Sequence, residues 1–336
     1  MSSPDRHPGG PADGWREHAT LEDVRYAYRL YLKRLPDADG FANYERLVAR
    51  GLALDDLVRG FANSEEANAD RLPLAIDLGG YRVCVQPRDA DFARAIIATH
   101  DYEPHVRRAV RDRLDPGDVV VDIGANVGCI ALLAATVVGE GGSVVAVEPN
   151  PDNLQMLYAG IVLNEVANVR VLPHAASVRS EVRSLSRDTS NTNLVATQAP
   201  GGCVYTQTVV LDEVLASLPR LDLVKMDVEG HEIDAFDGFR ASIERHRPAL
   251  VVEFNPRCLV DLERRQPAEL LDRLLALYPS VRATSAFGDD ERFARTADLL
   301  DYWRVREREV TAAGLLPAGL LHFDLIAERG RPRRLA

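Results

Sequence analysis

Cysteine is scarce and scattered in this chain. Cys84, Cys129, Cys203 and Cys258 stand far apart with no C-x-x-C pair, which removes the common zinc and dithiol signatures and leaves ordinary packing as the reading of each. Positive charge is in deficit: 40 Lys and Arg stand against 51 Asp and Glu, for a formal net charge of −11. A nucleic-acid groove carries a clustered basic surface, so no nucleic-acid partner is expected. No run of about 18 apolar residues occurs, so no membrane contact is expected either. The opening "MSSPDRHPGGPADG" lacks the apolar stretch of a signal peptide. It reads as part of a disordered leader over residues 1–19, and the protein as cytoplasmic.

What is present divides near residue 73. Residues 20–72 carry only helical patterning, from "TLEDVRYAYRLYLKRLP" to "LDDLVRGFANSEEANADRL", with Thr20 and Asp23 as an N-cap signal. This is a small all-α domain. Over residues 73–336 strand-length apolar runs alternate with helix-length segments: "VVVDIG" (119–124), "SVVAVEP" (143–149), "VRVLPHA" (169–175), "LDLVKMD" (221–227), "PALVVEF" (248–254), "VRATSAF" (281–287) and "LLHFDLIAE" (320–328). Runs without polar alternation indicate a mostly parallel sheet covered by helices on both faces. Ligands of such sheets bind beyond the carboxyl ends of the strands, where Asp122, Glu148, His174, Asp227 and Glu253 stand. The polar stretch 187–202, with Asn191 and Asn193, reads as a long loop or lid.

The loop "DIGANVG" also lacks something. Asn126 occupies the place of the second glycine of a dinucleotide fingerprint, the one that admits a pyrophosphate. Asp122 at the entrance would repel that group, although a glycine turn opening a helix ordinarily invites an anion. Both features count against NAD. Glu148 ends the next strand, where an acidic side chain accepts from both ribose hydroxyls. Adenosine without a pyrophosphate, carrying a sulfonium and an ammonium, satisfies these features, and S-adenosylmethionine (SAM) is that molecule. A bare glycine turn is also an ordinary strand-to-helix connection, so the weight falls on its combination with Glu148.

"VVVDIGANVG", "VVAVEPNPDNLQML", "VKMDVEGHE" and "LVVEFNP", in this order between residues 119 and 256, closely resemble the FkbM family of SAM-dependent methyltransferases. The resemblance implies a class I, Rossmann-like methyltransferase domain with a seven-stranded sheet, beside the small N-terminal all-α domain. It implies that Asp122, Gly124, Ala125, Asn126 and Gly128 line the methionine moiety of SAM, and that Glu148, with Pro149 and Asn150 behind it, holds the ribose. "HDYEP" looks like the segment that precedes the loop in this family, so Tyr102 and Glu103 are expected to close over the cofactor. His174 is read as a neighbour of the adenine or an interior histidine. The N-terminal helices are similar to a domain found beside other transferase domains and suggest docking to a carrier or a homo-oligomer.

Methyl transfer from a sulfonium needs an aligned acceptor and a group that removes its proton. Lys225 and Asp227, two apart on one strand, point to the same face. They read as a pair, either structural or at the reacting centre. Glu253 ends a central apolar strand and is the first choice for the base; His231 is the second, with helix capping as its alternative. The spacing of Asp227, Glu229, His231 and Glu253 does not compel a metal, and none is expected. The expected reaction is O-methylation of a hydroxyl on a small metabolite or sugar, as in natural-product tailoring or glycan modification. N- or carboxyl-methylation and a non-catalytic SAM-binding scaffold are the alternatives.

Overall fold

The computed structural model describes residues 17–32, 34–62, 64, 66, 73–87, 89, 92–186, 194–195 and 203–328. The chain divides into two compact units, residues 1–72 and 73–336. Among the described residues no helix is long and apolar enough to cross a membrane.

The first unit holds helices Leu21–Tyr31, Ala38–Ala49 and Leu54–Ala62. Thr20 and Asp23 close a capping box: Thr20 N donates to Asp23 Oδ2 at 2.8 Å and Asp23 N to Thr20 Oγ1 at 3.3 Å. Val24, Tyr28, Leu57 and Phe61 form the core, where the Tyr28 and Phe61 rings meet edge to face with centroids 5.0 Å apart. Residues 1–16 of the expected leader lie outside the described residues, but its last three residues are structured. Ala19 N donates to Leu52 O at 2.8 Å and Leu54 N to Glu17 O at 2.9 Å, so this stretch pairs with the turn ahead of the third helix.

The second unit opens with the hairpin β1 (Leu74–Asp77) and β2 (Arg82–Val85). The remaining strands are β3 (Val119–Ile123), β4 (Ser143–Val147), β5 (Val169–Leu172), β6 (Ala175–Ala176), β7 (Val182–Ser186), β8 (Leu194–Val195), β9 (Cys203–Val209), β10 (Leu223–Met226), β11 (Ala249–Phe254), β12 (Val281–Thr284), β13 (Asp290–Phe293) and β14 (Phe323–Ala327). The main sheet runs β5-β4-β3-β10-β11-β14-β12-β13. In it β5, β4, β3, β10 and β11 pair in parallel, while β14 and β13 pair antiparallel to their neighbours. The sheet is α/β and Rossmann-like but, among the described residues, has eight strands, where seven were expected. The run "VRATSAF" stops at Thr284 because Ser285 Oγ takes the Phe287 N–H at 3.0 Å and turns the chain back into β13. With its charged, mostly exposed "DERF", β13 has no apolar pattern to betray it.

The uninterrupted apolar runs follow from two cores on opposite faces of the sheet. Val120, Val144, Ala146, Leu223 and Val251 face one core, shared with Ile130, Ala134 and Leu157. Their neighbours Val121, Val145, Val224, Leu250 and Val252 face the other, with Phe236, Phe239 and Leu270. Each strand is therefore apolar on both sides, as a covered parallel sheet requires. The helix Cys129–Val138, buried except at Thr136 and Val137, follows directly from the glycine loop. Within the stretch read as a long loop stands β8, which pairs with β7; with β6 and β9 they form a second, small sheet, whose other strands lie outside that stretch. Asn191 and Asn193, and the rest of 187–193 and 196–202, lie outside the described residues.

Candidate active site

The strand order reverses between β3 and β10, which places a crevice at their carboxyl ends. Asp227 N donates to Ile123 O at 3.0 Å, drawing the two strand ends together. Gly124, at φ +79°, sits so close to β10 that a Cβ there would collide with the Asp227 carbonyl oxygen. Asn126 stands in the left-handed region at φ +50°, a conformation that asparagine tolerates better than most side chains. The loop thus keeps its glycine-like backbone with asparagine in the second place.

Around this loop lies a cavity of about 410 Å³, within the range of small-molecule sites. Of the residues singled out from the sequence, Tyr102, Glu103, Gly124, Ala125, Asn126 and Glu148 line it. So do Pro149, His174, Lys225, Asp227, His231 and Glu253. Asp122, Gly128 and Asn150 do not. Gly128 caps the following helix, and Asn150 caps Pro151–Leu163 by accepting from Asp152 N.

Asp122 is wholly buried, and the register of β3 against β10 sets it beside Lys225. Lys225 Nζ lies 3.7 Å from Asp122 Oδ1 and 3.3 Å from Asp227 Oδ2, and donates to Gly124 O at 2.9 Å. The acidic residue ahead of the glycine turn therefore answers a buried lysine, and Lys225 ties the turn to both strands. Burial opposes the ammonium charge, but Asp227, Asp122 and Glu103 outweigh it and hold Lys225 above the usual lysine range. Burial in turn pushes the Asp122 carboxyl up to about 6 against the pull of Lys225.

Glu148 organises the other side. Its Oε2 accepts from Asn126 N at 2.8 Å; its Oε1 accepts from Asn150 N at 2.8 Å and from Asn153 Nδ2 at 3.3 Å. Burial pushes its carboxyl up to about 7, against the opposing effect of those backbone donors. Glu103, held at φ +37°, is pushed up to about 8 by burial and by Asp324 and Asp227. Tyr102 packs against Phe92 with ring centroids 5.2 Å apart.

The far wall carries Asp227, Glu229, His231, Glu253 and Asn255. His231 does not cap the helix Glu232–Asp237 through its side chain. Its Nδ1 is 3.0 Å from Glu263 Oε1 and its Nε2 is 3.2 Å from Ser177 Oγ. An ionised carboxylate can only accept, so beside Glu263 Nδ1 carries a proton, and in the neutral imidazole Nε2 presents a lone pair. Burial raises the Glu263 carboxyl, yet the His231 bond and nearby arginines bring it below the usual range. Burial, then Asp227 and Glu229, drive Glu253 well above its ordinary value. Sequence reasoning missed Glu263, Ser177 and Glu232. The first two lie 32 and 54 residues from His231 and meet it only through the fold; Glu232 opens a helix of mixed polar and apolar residues, where nothing local marks one carboxylate as buried.

SAM fits this cavity on two observations. Glu148 retains acceptor capacity at the cavity wall, since a carboxylate has about four acceptor positions and three are used. His174 Nδ1, also in the wall, has no hydrogen-bond partner.

Residues 122–276 match the Methyltransferase FkbM domain family. Over 188 residues the chain is 28% identical to the hexuronic acid methyltransferase AglP of Haloferax volcanii, covering 53% of this chain and 73% of that protein. Among solved structures, the methyltransferase FkbM from Methylobacillus flagellatus KT aligns at 16% identity and a TM-score of 0.38, over 79% of this chain and 57% of that one. A SAM-dependent O-methyltransferase from Thermotoga maritima aligns at 12% identity and a TM-score of 0.38, over 74% of each chain. With its FkbM-like fold preceded by a small helical region, the chain is a methyltransferase that uses SAM as its cofactor.

Proposed function

We propose that this enzyme methylates a hydroxyl of a sugar or similar polyhydroxylated small molecule. The observation that carries this reading is the far wall, where Asp227, Glu229, Glu253 and Asn255 present side-chain acceptors to the cavity. Hydroxyl groups are the donors such a wall recognises. The similarity to a hexuronic acid methyltransferase supports a sugar-class acceptor.

SAM supplies the activated methyl group, and this chain's residues arrange what meets it. Glu148 takes the ribose hydroxyls, His174 faces the adenine, and the loop from Gly124 to Asn126 with Lys225 and Asp227 borders the methionine end. Tyr102 and Glu103 close the cavity above. His231 receives the acceptor proton at Nε2; its long bond to Ser177 is exchanged for the incoming hydroxyl, while Glu263 keeps the ring oriented. This assignment prefers His231 over Glu253, because the Glu263 carboxylate at Nδ1 fixes the orientation of the imidazole.

The test is incubation of the enzyme and methyl-labelled SAM with a panel of sugars, uronic acids and amino sugars, the methylated atom being located by fragmentation. An O-methyl product is expected. Methyl found only on nitrogen or on a carboxyl group would overturn the reading. His231→Gln should lower the single-turnover rate by about 10²- to 10⁴-fold with SAM affinity retained; a rate near wild type would remove His231 from the role.

A further inference from the structure

Three carboxylates converge at the ends of β10 and β11, two from the segment that follows β10 and one from β11. One oxygen each from Asp227, Glu232 and Glu253 lies within 4.8 Å of the others. Acidic clusters are common, and this one would mean little without the state of two of its members. Glu232 is fully buried and Glu253 is 9% exposed, and the Oε2 atom of each has no hydrogen-bond partner. Glu232 Oε1 accepts from Val228 N and Gly230 N, both at 3.0 Å. These two bonds fix the carboxylate and leave Oε2 without a donor. A buried carboxylate oxygen with no donor is costly, and a fold rarely keeps two of them side by side without a ligand.

The cation beside the cluster, Lys225, is committed to Gly124 O, Asp227 and Asp122. We infer that Asp227, Glu232 and Glu253 form a binding site for a hard divalent cation, of the Mg²⁺, Mn²⁺ and Ca²⁺ class, in the wall of the active-site cavity. Oxygen-only donors select that class over zinc or copper. Three oxygens no more than 4.8 Å apart surround a common centre at about 2.8 Å or less, and a closure of a few tenths of an ångström on each side reaches the Ca²⁺ distance of about 2.4 Å. Asp227 and Glu253 also line the cavity. The remaining coordination positions are therefore open to water or to an oxygen of the acceptor. The site stands on this chain's carboxylates alone and does not depend on which acceptor is methylated.

The experiment uses the full chain, treated with a chelator, dialysed and titrated with MnCl₂, with free Mn²⁺ followed by electron paramagnetic resonance and binding heat by calorimetry. One site is expected, competed by Mg²⁺ or Ca²⁺. Glu232→Gln and Glu253→Gln should each weaken it by about 10- to 100-fold. Glu232→Gln keeps an oxygen for the Val228 and Gly230 N–H groups, so the turn is preserved; circular dichroism and SAM affinity near wild type verify this. Absence of Mn²⁺ binding by the wild type up to about 1 mM, the weak end of known oxygen-ligand sites, would overturn the inference. So would two folded variants that bind Mn²⁺ as tightly as the wild type. Because the readout is cation binding, an acceptor of another class leaves this result intact.

Discussion

Replacing Glu148 by glutamine keeps the side chain's size while removing its charge and one acceptor oxygen. In the wild type three donors of this chain reach the carboxylate: Asn126 N and Asn150 N at 2.8 Å, and Asn153 Nδ2 at 3.3 Å. One acceptor position remains, and the long Asn153 bond is the one a second ribose hydroxyl would displace. A hydrogen bond to a charged group contributes about 1.5–3 kcal/mol, so losing one should weaken SAM binding by about 10- to 150-fold. Burial pushes the Glu148 carboxyl up to about 7, and only the ionised form accepts from both hydroxyls. Wild-type affinity should therefore rise with pH up to that value and level off above it. Below it the loss approaches tenfold per pH unit, about 1.4 kcal/mol. The stability effect has the opposite sense. A carboxyl raised above its ordinary 4.5 contributes stability that is fully present below that value and is lost as pH rises through about 7. Calorimetric titration of SAM from about pH 5.5 to 8.5 separates these effects, with melting curves run in parallel. The amide introduced by Glu148→Gln would face one of the two backbone N–H groups, so a loss of about 1–3 kcal/mol in stability is expected alongside. Equal SAM affinity in the variant, or an unchanged slope below about pH 7, would refute the assignment of Glu148 to the ribose.

The other predictions concern the frame of the site. Lys225→Met leaves Asp122 buried without a cation and should cost about 3–5 kcal/mol in denaturant unfolding; adding Asp122→Asn should restore part of it, and a single-variant cost below about 1 kcal/mol would count against the pairing. Gly124→Ala forces a Cβ into the Asp227 carbonyl at a positive φ. It should lower stability by more than the ~1–2 kcal/mol of left-handed backbone alone and abolish SAM binding, whereas a stable, SAM-binding variant would contradict the close approach. Removal of residues 1–72, one of the two compact units, should leave a core that unfolds cooperatively and binds SAM. A broad, uncooperative melt of the remaining chain would show that the helices complete the core instead.

Much of the catalytic unit is legible in the sequence because its signals are local. Strands buried on both faces must be written as apolar runs, and helices between them by their own periodicity, so β3, β4, β10 and β11 can be found without any tertiary contact. A ligand crevice at the ends of such strands follows from topology, which is why Glu148, Asp227 and Glu253 can be singled out before any contact is known. Edge elements escape this logic. β13 is charged and mostly exposed, and its pairing is set by the Ser285–Asp289 turn.

Which way each polar side chain is employed is decided only by partners distant in the chain. Asp122 reads as a cofactor contact, yet the register of β3 with β10 turns it into the counter-ion of Lys225. His231 reads equally as a cap or a base, and it is Glu263 and Ser177, from separate segments, that leave its Nε2 as the acceptor. Glu232 carries no signal at all until the turn at Gly230 buries it with one oxygen bonded and the other bare. Local sequence determined the apolar pattern and hence the sheet, because burial on two faces constrains every residue of a strand. The chemistry of a buried carboxylate depends on which donor or cation lies a few ångströms away, and only the folded chain brings that neighbour into place.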